Sequence, residues 1–384
     1  MFRIIFLSYD FYSNEIGRYY KPFICVKPCY LIFSPMNRLV IFCFCFFLSV
    51  QNLFAQQIPI GTWKDELPYL HAKAVVQSAN KIYCATDVSL YSVDKSDFSF
   101  EKLSKVNGLS DIGFSTLYFD GDRNQLLIAY SNSNIDILDS AGTYNISDIK
   151  RKNIVGDKNI YKIFQRGSMA YLCCGFGIAV LNLAKREISD TYYPGQTVSY
   201  NKVNSMTADD TFFYAATASG LYRAAINSSN LSDFSQWTKI NSTTALPDAA
   251  VSDLLNINQS LYCSVKDSLY KFDGTQWTKI FWRDTMHIRS LHNGNGELLI
   301  CMNSDSSGIT PRVIKISATN SVDSIPTNFN SPWQSLKDEN GNYWTADDQL
   351  GLKYFSATEV KTIYPLGPLS QKAADIAVRN GIAY

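Results

Sequence analysis

Histidine is almost absent from this chain: His71, His287 and His292 are the only three in 384 residues, and no H-E-x-x-H or comparable ligand spacing joins them. That excludes the usual histidine-rich metal centres, and all three read as surface or loop residues. Charge is sparse too. Charged residues make up 18%, and 35 basic against 34 acidic side chains leave a formal net charge of +1. Such a chain projects no field for nucleic acid or for an anionic membrane surface. No C-x-x-C pair, P-loop, G-x-S-x-G elbow or G-x-G-x-x-G after a strand is present. Redox, nucleotide and acyl-transfer chemistry therefore have no motif to stand on. No metal or cofactor site is expected.

Long apolar runs are also missing. The one candidate, residues 39–50, follows Arg38 and precedes Leu53-Phe54-Ala55. It falls well short of the roughly 20 residues that span a bilayer and has the layout of a secretory signal peptide. Residues 36–55 are thus expected to be the signal, 1–35 a misassigned upstream start, and the mature chain to carry no membrane span. Removing residues 1–55 takes four of the nine cysteines and leaves Cys84, Cys173, Cys174, Cys263 and Cys301. An odd number in an exported chain argues against a disulfide framework, and these read as buried strand thiols.

What is abundant is aromatic and periodic. Aromatic residues reach 14%, with 24 Tyr and 23 Phe. Ile82-Tyr83-Cys84-Ala85-Thr86 with Leu90-Tyr91 recurs as Phe213-Tyr214-Ala215-Ala216-Thr217 with Leu221-Tyr222, and as Leu261-Tyr262-Cys263-Ser264-Val265 with Leu269-Tyr270. Weaker copies place Leu127, Leu172, Leu299, Tyr343 and Tyr384 at the same position, so the steps between anchors run from 37 to 48 residues. Each anchor is preceded by a short apolar stretch and a polar turn. An outer strand follows, seen at 236–240 and 276–280. Asn293-Gly294, Asn295-Gly296, Asn340-Gly341, Asn380-Gly381 and Asp120-Gly121 supply hairpin turns. Four antiparallel strands per unit at this period predict an all-β, seven-bladed β-propeller over residues 56–370. Residues 371–384 read as the start of a further blade or second propeller, truncated. Either 60–64 or 360–363 is expected to supply the outer strand that closes the ring.

The carboxylate pairs Asp209-Asp210 and Asp347-Asp348 fall in hairpin loops and read as solvated turn residues, and residues 338–342 resemble a calcium loop without its downstream glutamate. Trp237, Trp277 and Trp344 recur with the repeat and are expected inside blades. Trp63, Trp282 and Trp333 do not, and they are the candidates for a ligand or partner surface.

Two resemblances follow from these residues. Asp338-x-x-Gly341-x-x-Trp344, ending in Gly351-Leu352, resembles the repeat of two-component-regulator propellers. Gly61-Thr62-Trp63, Asn107-Gly108-Leu109-Ser110-Asp111 and residues 128–138 resemble the N-terminal propeller of the PorZ family, surface components of the Bacteroidota type IX secretion system. That resemblance implies a non-enzymatic protein of the attachment complex at the outer-membrane cell surface, which binds anionic lipopolysaccharide and presents it to the sortase that modifies secreted cargo. The alternative it leaves open is a periplasmic glycan-sensing propeller of a hybrid two-component regulator. A secreted propeller lyase or glycosidase would need a cluster of catalytic side chains that the sequence does not assemble.

Overall fold

The computed structural model describes residues 65–195, 200–306, 308–368, 378–379 and 382–383. The signal segment, residues 1–35 and Trp63 lie outside them. Within the described residues are seven four-stranded antiparallel sheets, each built from consecutive strands. Blade 1 holds β1 (Ala74–Gln77), β2 (Lys81–Ala85), β3 (Leu90–Asp94) and β4 (Phe100–Leu103). Blade 2 holds β5 (Phe114–Asp120), β6 (Gln125–Tyr130), β7 (Ile135–Asp139) and β8 (Gly142–Ile146). In blade 3 these are β9 (Ile160–Arg166), β10 (Met169–Cys174), β11 (Gly177–Asn182) and β12 (Glu187–Tyr192). In blade 4 they are β13 (Val203–Ala208), β14 (Phe212–Thr217), β15 (Gly220–Ala225) and β16 (Thr238–Lys239). Blade 5 has β17 (Val251–Ile257), β18 (Ser260–Val265), β19 (Ser268–Phe272) and β20 (Trp277–Trp282). Blade 6 has β21 (His287–Gly294), β22 (Glu297–Asn303), β23 (Arg312–Ile316) and β24 (Val322–Ser324). Blade 7 has β25 (Pro332–Lys337), β26 (Tyr343–Asp347), β27 (Gly351–Phe355) and β28 (Val360–Ile363).

Tyr384 lies outside the described residues, and each anchor from Tyr83 to Tyr343 lies on the second strand of its blade. The reason is burial: a second strand has a neighbouring strand on each edge and a neighbouring blade on each face. β6 and β26 are buried along their whole length. Such a strand reads as a continuous apolar or small-residue run rather than an alternating one. The five cysteines sit on these strands as free, buried thiols, where a small apolar group fits between two blades. Burial pushes the Cys84, Cys174 and Cys301 thiols up to about 12, so none is poised to react.

One apolar cluster fills each junction between adjacent blades, for example Leu127, Ile135, Ile163 and Leu172 between blades 2 and 3. The ring closes in the same way. Val75, Cys84 and Tyr91 of blade 1 pack with Trp344, Ala346 and Leu352 of blade 7. The Val75 amide donates to Gln334 Oε1 at 3.0 Å, and Tyr91 donates to the Ile363 carbonyl at 3.1 Å. Residues 360–363 take the outer place of blade 7 by pairing with β27. Closure among the described residues is therefore by packing of whole blades, and residues 60–64 lie outside them. A short pair, β29 (Val378–Arg379) with β30 (Ile382–Ala383), stands where the eighth unit was expected.

The outer strand of blade 4 corrects the sequence reading of 236–240. Phe234–Gln236 form a 3-10 turn capped by the Asp233 carboxylate, and only Thr238–Lys239 pair as strand. Trp237 then folds inward, and its indole donates to the Leu231 carbonyl at 3.0 Å.

The candidate binding face and the axial channel

The inner strands of blades 2 to 7 share one irregularity. Each carries one extra residue near its start relative to the second strand: Ser115, Tyr161, Asn204, Ser252, Arg289 and Trp333. A bulge of this kind lifts its residue out of the in-and-out alternation and re-aims the side chain. All six stand where the chain arrives from the preceding outer strand, so they surround the same mouth of the channel. None is aliphatic.

Beneath this mouth the channel is crossed. Lys162 of β9 pairs with Asp253 of β17, Nζ to Oδ1, at 2.5 Å. These residues belong to blades 3 and 5, which are not neighbours in a seven-membered ring, so the two side chains meet only across the axis. Blade 6 joins them: the Leu291 amide donates to Asp253 Oδ2 at 2.7 Å, and Lys162 donates to the Leu291 carbonyl at 3.4 Å. Burial raises the Asp253 carboxyl pKa, but the charge and hydrogen bond of Lys162 and the Leu291 amide outweigh it and hold the group below the ordinary carboxylate range.

His292 stands beside this pair, with Nε2 2.9 Å from Ser290 Oγ. This corrects the reading of all three histidines as surface or loop residues, since His292 lies inside β21 and faces the axis. Burial, reinforced by the charge of Lys162 and opposed by that of Asp253, lowers its pKa to about 3. An unfolded chain protonates this ring near the ordinary histidine value of 6.5 while the folded one does not, so its stabilising contribution is full above pH 6.5 and is lost as pH falls towards 3. Between pH 7 and 5 the loss amounts to at most about 2 kcal/mol, because the ring keeps some access to water. Denaturant unfolding of His292→Gln at both pH values is expected to show that part of the slope removed. Asp253 remains charged across this interval and contributes none of it.

At the mouth, cations lie over aromatic rings. The Arg289 guanidinium is 4.1 Å from the centroid of the Trp333 ring, and Lys73 Nζ is 5.2 Å from it. Lys202 Nζ is 3.6 Å from the Tyr161 ring, and burial lowers the Lys202 pKa. Contacts of this type contribute about 0.5–2 kcal/mol and, more usefully, fix where a long side chain points. Lys73 is paired with Asp87. Arg289 is exposed and has no carboxylate partner among the described residues. The buried indole nitrogen of Trp333 has no acceptor among them either.

Of the three tryptophans proposed from the sequence, Trp333 sits at the channel mouth and Trp282 at the outer rim of the same face, since outer strands end where inner strands begin. Trp282 is 56% exposed, with Lys279 4.9 Å from its ring. Trp63 lies outside the described residues. Trp237, Trp277 and Trp344 are core residues, as their spacing predicted. Asp347 corrects the reading of solvated turn carboxylates. It is fully buried, and its oxygens accept from the amides of Asn330, Ser331, Gln349 and Leu350 at 2.9–3.0 Å. A cavity of about 580 Å³ opens between blades 4 and 5 on the opposite face, lined by Phe212, Arg223, Gln259, Phe272 and Asp273 among others. Among the described residues no group of three or more His, Cys, Asp and Glu side chains is placed to hold a metal ion. No helix among them is long and apolar enough to cross a membrane.

Comparison with known proteins bears on this ring directly. Residues 82–238, from β2 to the outer strand of blade 4, match the family described as the type IX secretion system (TSS9) PorZ N-terminal β-propeller domain. This part of the propeller is similar to the PorZ N-terminal domain. Among solved structures, PorZ of Porphyromonas gingivalis, an essential surface component of the type IX secretion system, superposes with a TM-score of 0.71 at 22% identity, covering 84% of this chain and 42% of PorZ. The chain thus spans less than half the length of that relative. The extracellular domain assigned to a hybrid two-component system of B. thetaiotaomicron gives 0.58 at 15% identity, covering 78% of this chain and 41% of that one. Streptogramin B lyase gives 0.56 at 13% identity, covering 75% and 94%. No curated protein matches the chain in sequence.

Proposed function

We propose that this propeller belongs to a non-enzymatic, surface-exposed component of the type IX secretion system attachment complex, which binds anionic lipopolysaccharide and presents it to the sortase that modifies secreted cargo. The observation that carries the reading is the match of residues 82–238 to the PorZ propeller domain. The sensor reading rests on folds that superpose less closely, 0.58 against 0.71. The face around Arg289 and Trp333 is the binding face in this proposal, and Trp282 extends it outward.

The test is deletion of the gene in its native bacterium with complementation, together with binding of the full-length protein to purified lipopolysaccharide and to the sortase. Loss of the lipopolysaccharide-modified form of secreted cargo, restored by the gene, is the expected result. Normal cargo modification in the deletion strain, with no binding to either partner, overturns the proposal.

A further inference from the structure

We infer that the channel mouth binds the acidic group of a glycan, with Arg289 as its charge partner and Trp333 as the platform that orients Arg289. This deepens the lipopolysaccharide reading above and rests on it.

The argument starts from the bulges. One extra residue recurs at the same place in six successive blades, and those residues are Ser, Tyr, Asn, Ser, Arg and Trp. Three of them are spent inside the ring: Ser115 donates to the Ala129 carbonyl, Asn204 to the Val251 carbonyl and Ser252 to the Ser264 carbonyl, at 2.8–3.2 Å. Tyr161, Arg289 and Trp333 remain, and these carry the cation and aromatic chemistry. Arg289 comes from blade 6, Trp333 from blade 7 and Lys73 from the segment entering blade 1, so one indole gathers cations from both sides. The guanidinium is already oriented, exposed and without a carboxylate of its own. The Asn303 side-chain oxygen takes its Nε–Nη2 edge at 3.1 Å, and the Nη1–Nη2 edge that remains suits a phosphate or carboxylate oxygen pair.

The floor sets how deep a ligand reaches. Lys162 and Asp253 cross the axis below the mouth, so a ligand entering from this face meets that pair. The charge pattern sets its class. A net charge of +1 gives no field for a densely charged polyanion. A few fixed cations among aromatic, hydroxyl and amide side chains suit a polyol with sparse acidic groups.

The test uses the full-length protein and three probes: the polysaccharide released from lipopolysaccharide by mild acid, the same polysaccharide with its acidic groups chemically neutralised, and vesicles of the isolated lipid portion. The native protein is expected to bind the first probe. Arg289→Gln should weaken that binding about tenfold or more and flatten its salt dependence, at unchanged melting temperature. Trp333→Phe, which keeps a ring under Arg289, should weaken it less, and Lys271→Gln on the opposite face should leave it unchanged. Native-like affinity in both Arg289→Gln and Trp333→Phe overturns this site while leaving the lipopolysaccharide reading intact. Equal binding of the neutralised polysaccharide, or binding confined to the lipid vesicles, overturns the acidic-glycan class. Binding to none of the probes and none to intact lipopolysaccharide overturns the underlying reading as well.

Discussion

Replacing Asp253 by alanine is expected to destabilise the propeller by about 3 kcal/mol, read as a fall of roughly 6 °C in melting temperature for a domain of this size. The substitution strands two partners at once. Lys162 keeps a charge that is only 26% exposed, and the Leu291 amide loses its acceptor. Removing one member of a buried pair typically costs about 3–5 kcal/mol, and the remaining exposure of Lys162 places this case at the lower end. Because the pair joins blades 3, 5 and 6 across the axis, the loss falls on the closed ring and not on one blade. The double variant Lys162→Met with Asp253→Leu removes both charges together and is expected to recover most of the stability. Thermal and denaturant unfolding of the two single variants and the double variant gives the coupling directly. Additive losses would mean that the two side chains do not act as a pair across the channel.

The fold was legible from sequence because the second strand of a propeller blade is its most constrained element. Buried on both faces, it repeats as a short apolar run with a tyrosine or leucine anchor, and the anchors fall once per blade from Tyr83 to Tyr343. Outer strands face solvent on one side and carry a weaker signal. Residues 236–240 looked like 276–280 because both contain Gln-Trp-Thr-Lys-Ile, yet Asp233 caps a turn in the first and pairing shrinks to Thr238–Lys239. Local sequence could not distinguish them.

The site was legible only in part. Trp333 stood out by failing to fit the repeat: it lies on an inner strand, at a bulge filled by other residue types in the other blades, whereas Trp277 and Trp344 lie on an outer and a second strand. Arg289 and Tyr161 gave no such signal, since one extra residue in a short strand does not disturb a period that already varies by several residues. Lys162, Asp253 and His292 were invisible for another reason. They are 91 and 39 residues apart along the chain, and only closure of the ring places them on one axis. Asp347 was misread because a carboxylate in a hairpin usually faces water, whereas this one replaces water for four backbone amides.

Truncating Trp344 to alanine is expected to cost about 3–5 kcal/mol, among the largest single losses in the molecule. Trp344 is 1% exposed and lies in the cluster that joins blade 7 to blade 1. Its ring centroid is 4.7 Å from that of Tyr354 and 5.9 Å from that of Phe98, so the cavity would open between strands of blades 7 and 1. The indole is also tied to the turn before it. Trp344 Nε1 donates to Asp338 Oδ2 at 2.9 Å, while Asp338 Oδ1 accepts from the amides of Asn340 and Asn342 at 3.0 and 2.8 Å. Gly341, at φ +84°, takes the left-handed position that the turn requires. The Asp-x-x-Gly-x-x-Trp spacing is therefore one hydrogen-bonded unit: the carboxylate shapes the turn and anchors the side chain that seals the ring. Trp344→Phe should keep most of the packing and lose chiefly the bond to Asp338, so its cost is expected to be no more than about half that of alanine. Hydrogen exchange of the alanine variant should show amides of β1 and β26 losing protection together, ahead of those in β14 and β18. Uniform loss around the ring would mean that blade 7 against blade 1 is no weaker than any other junction.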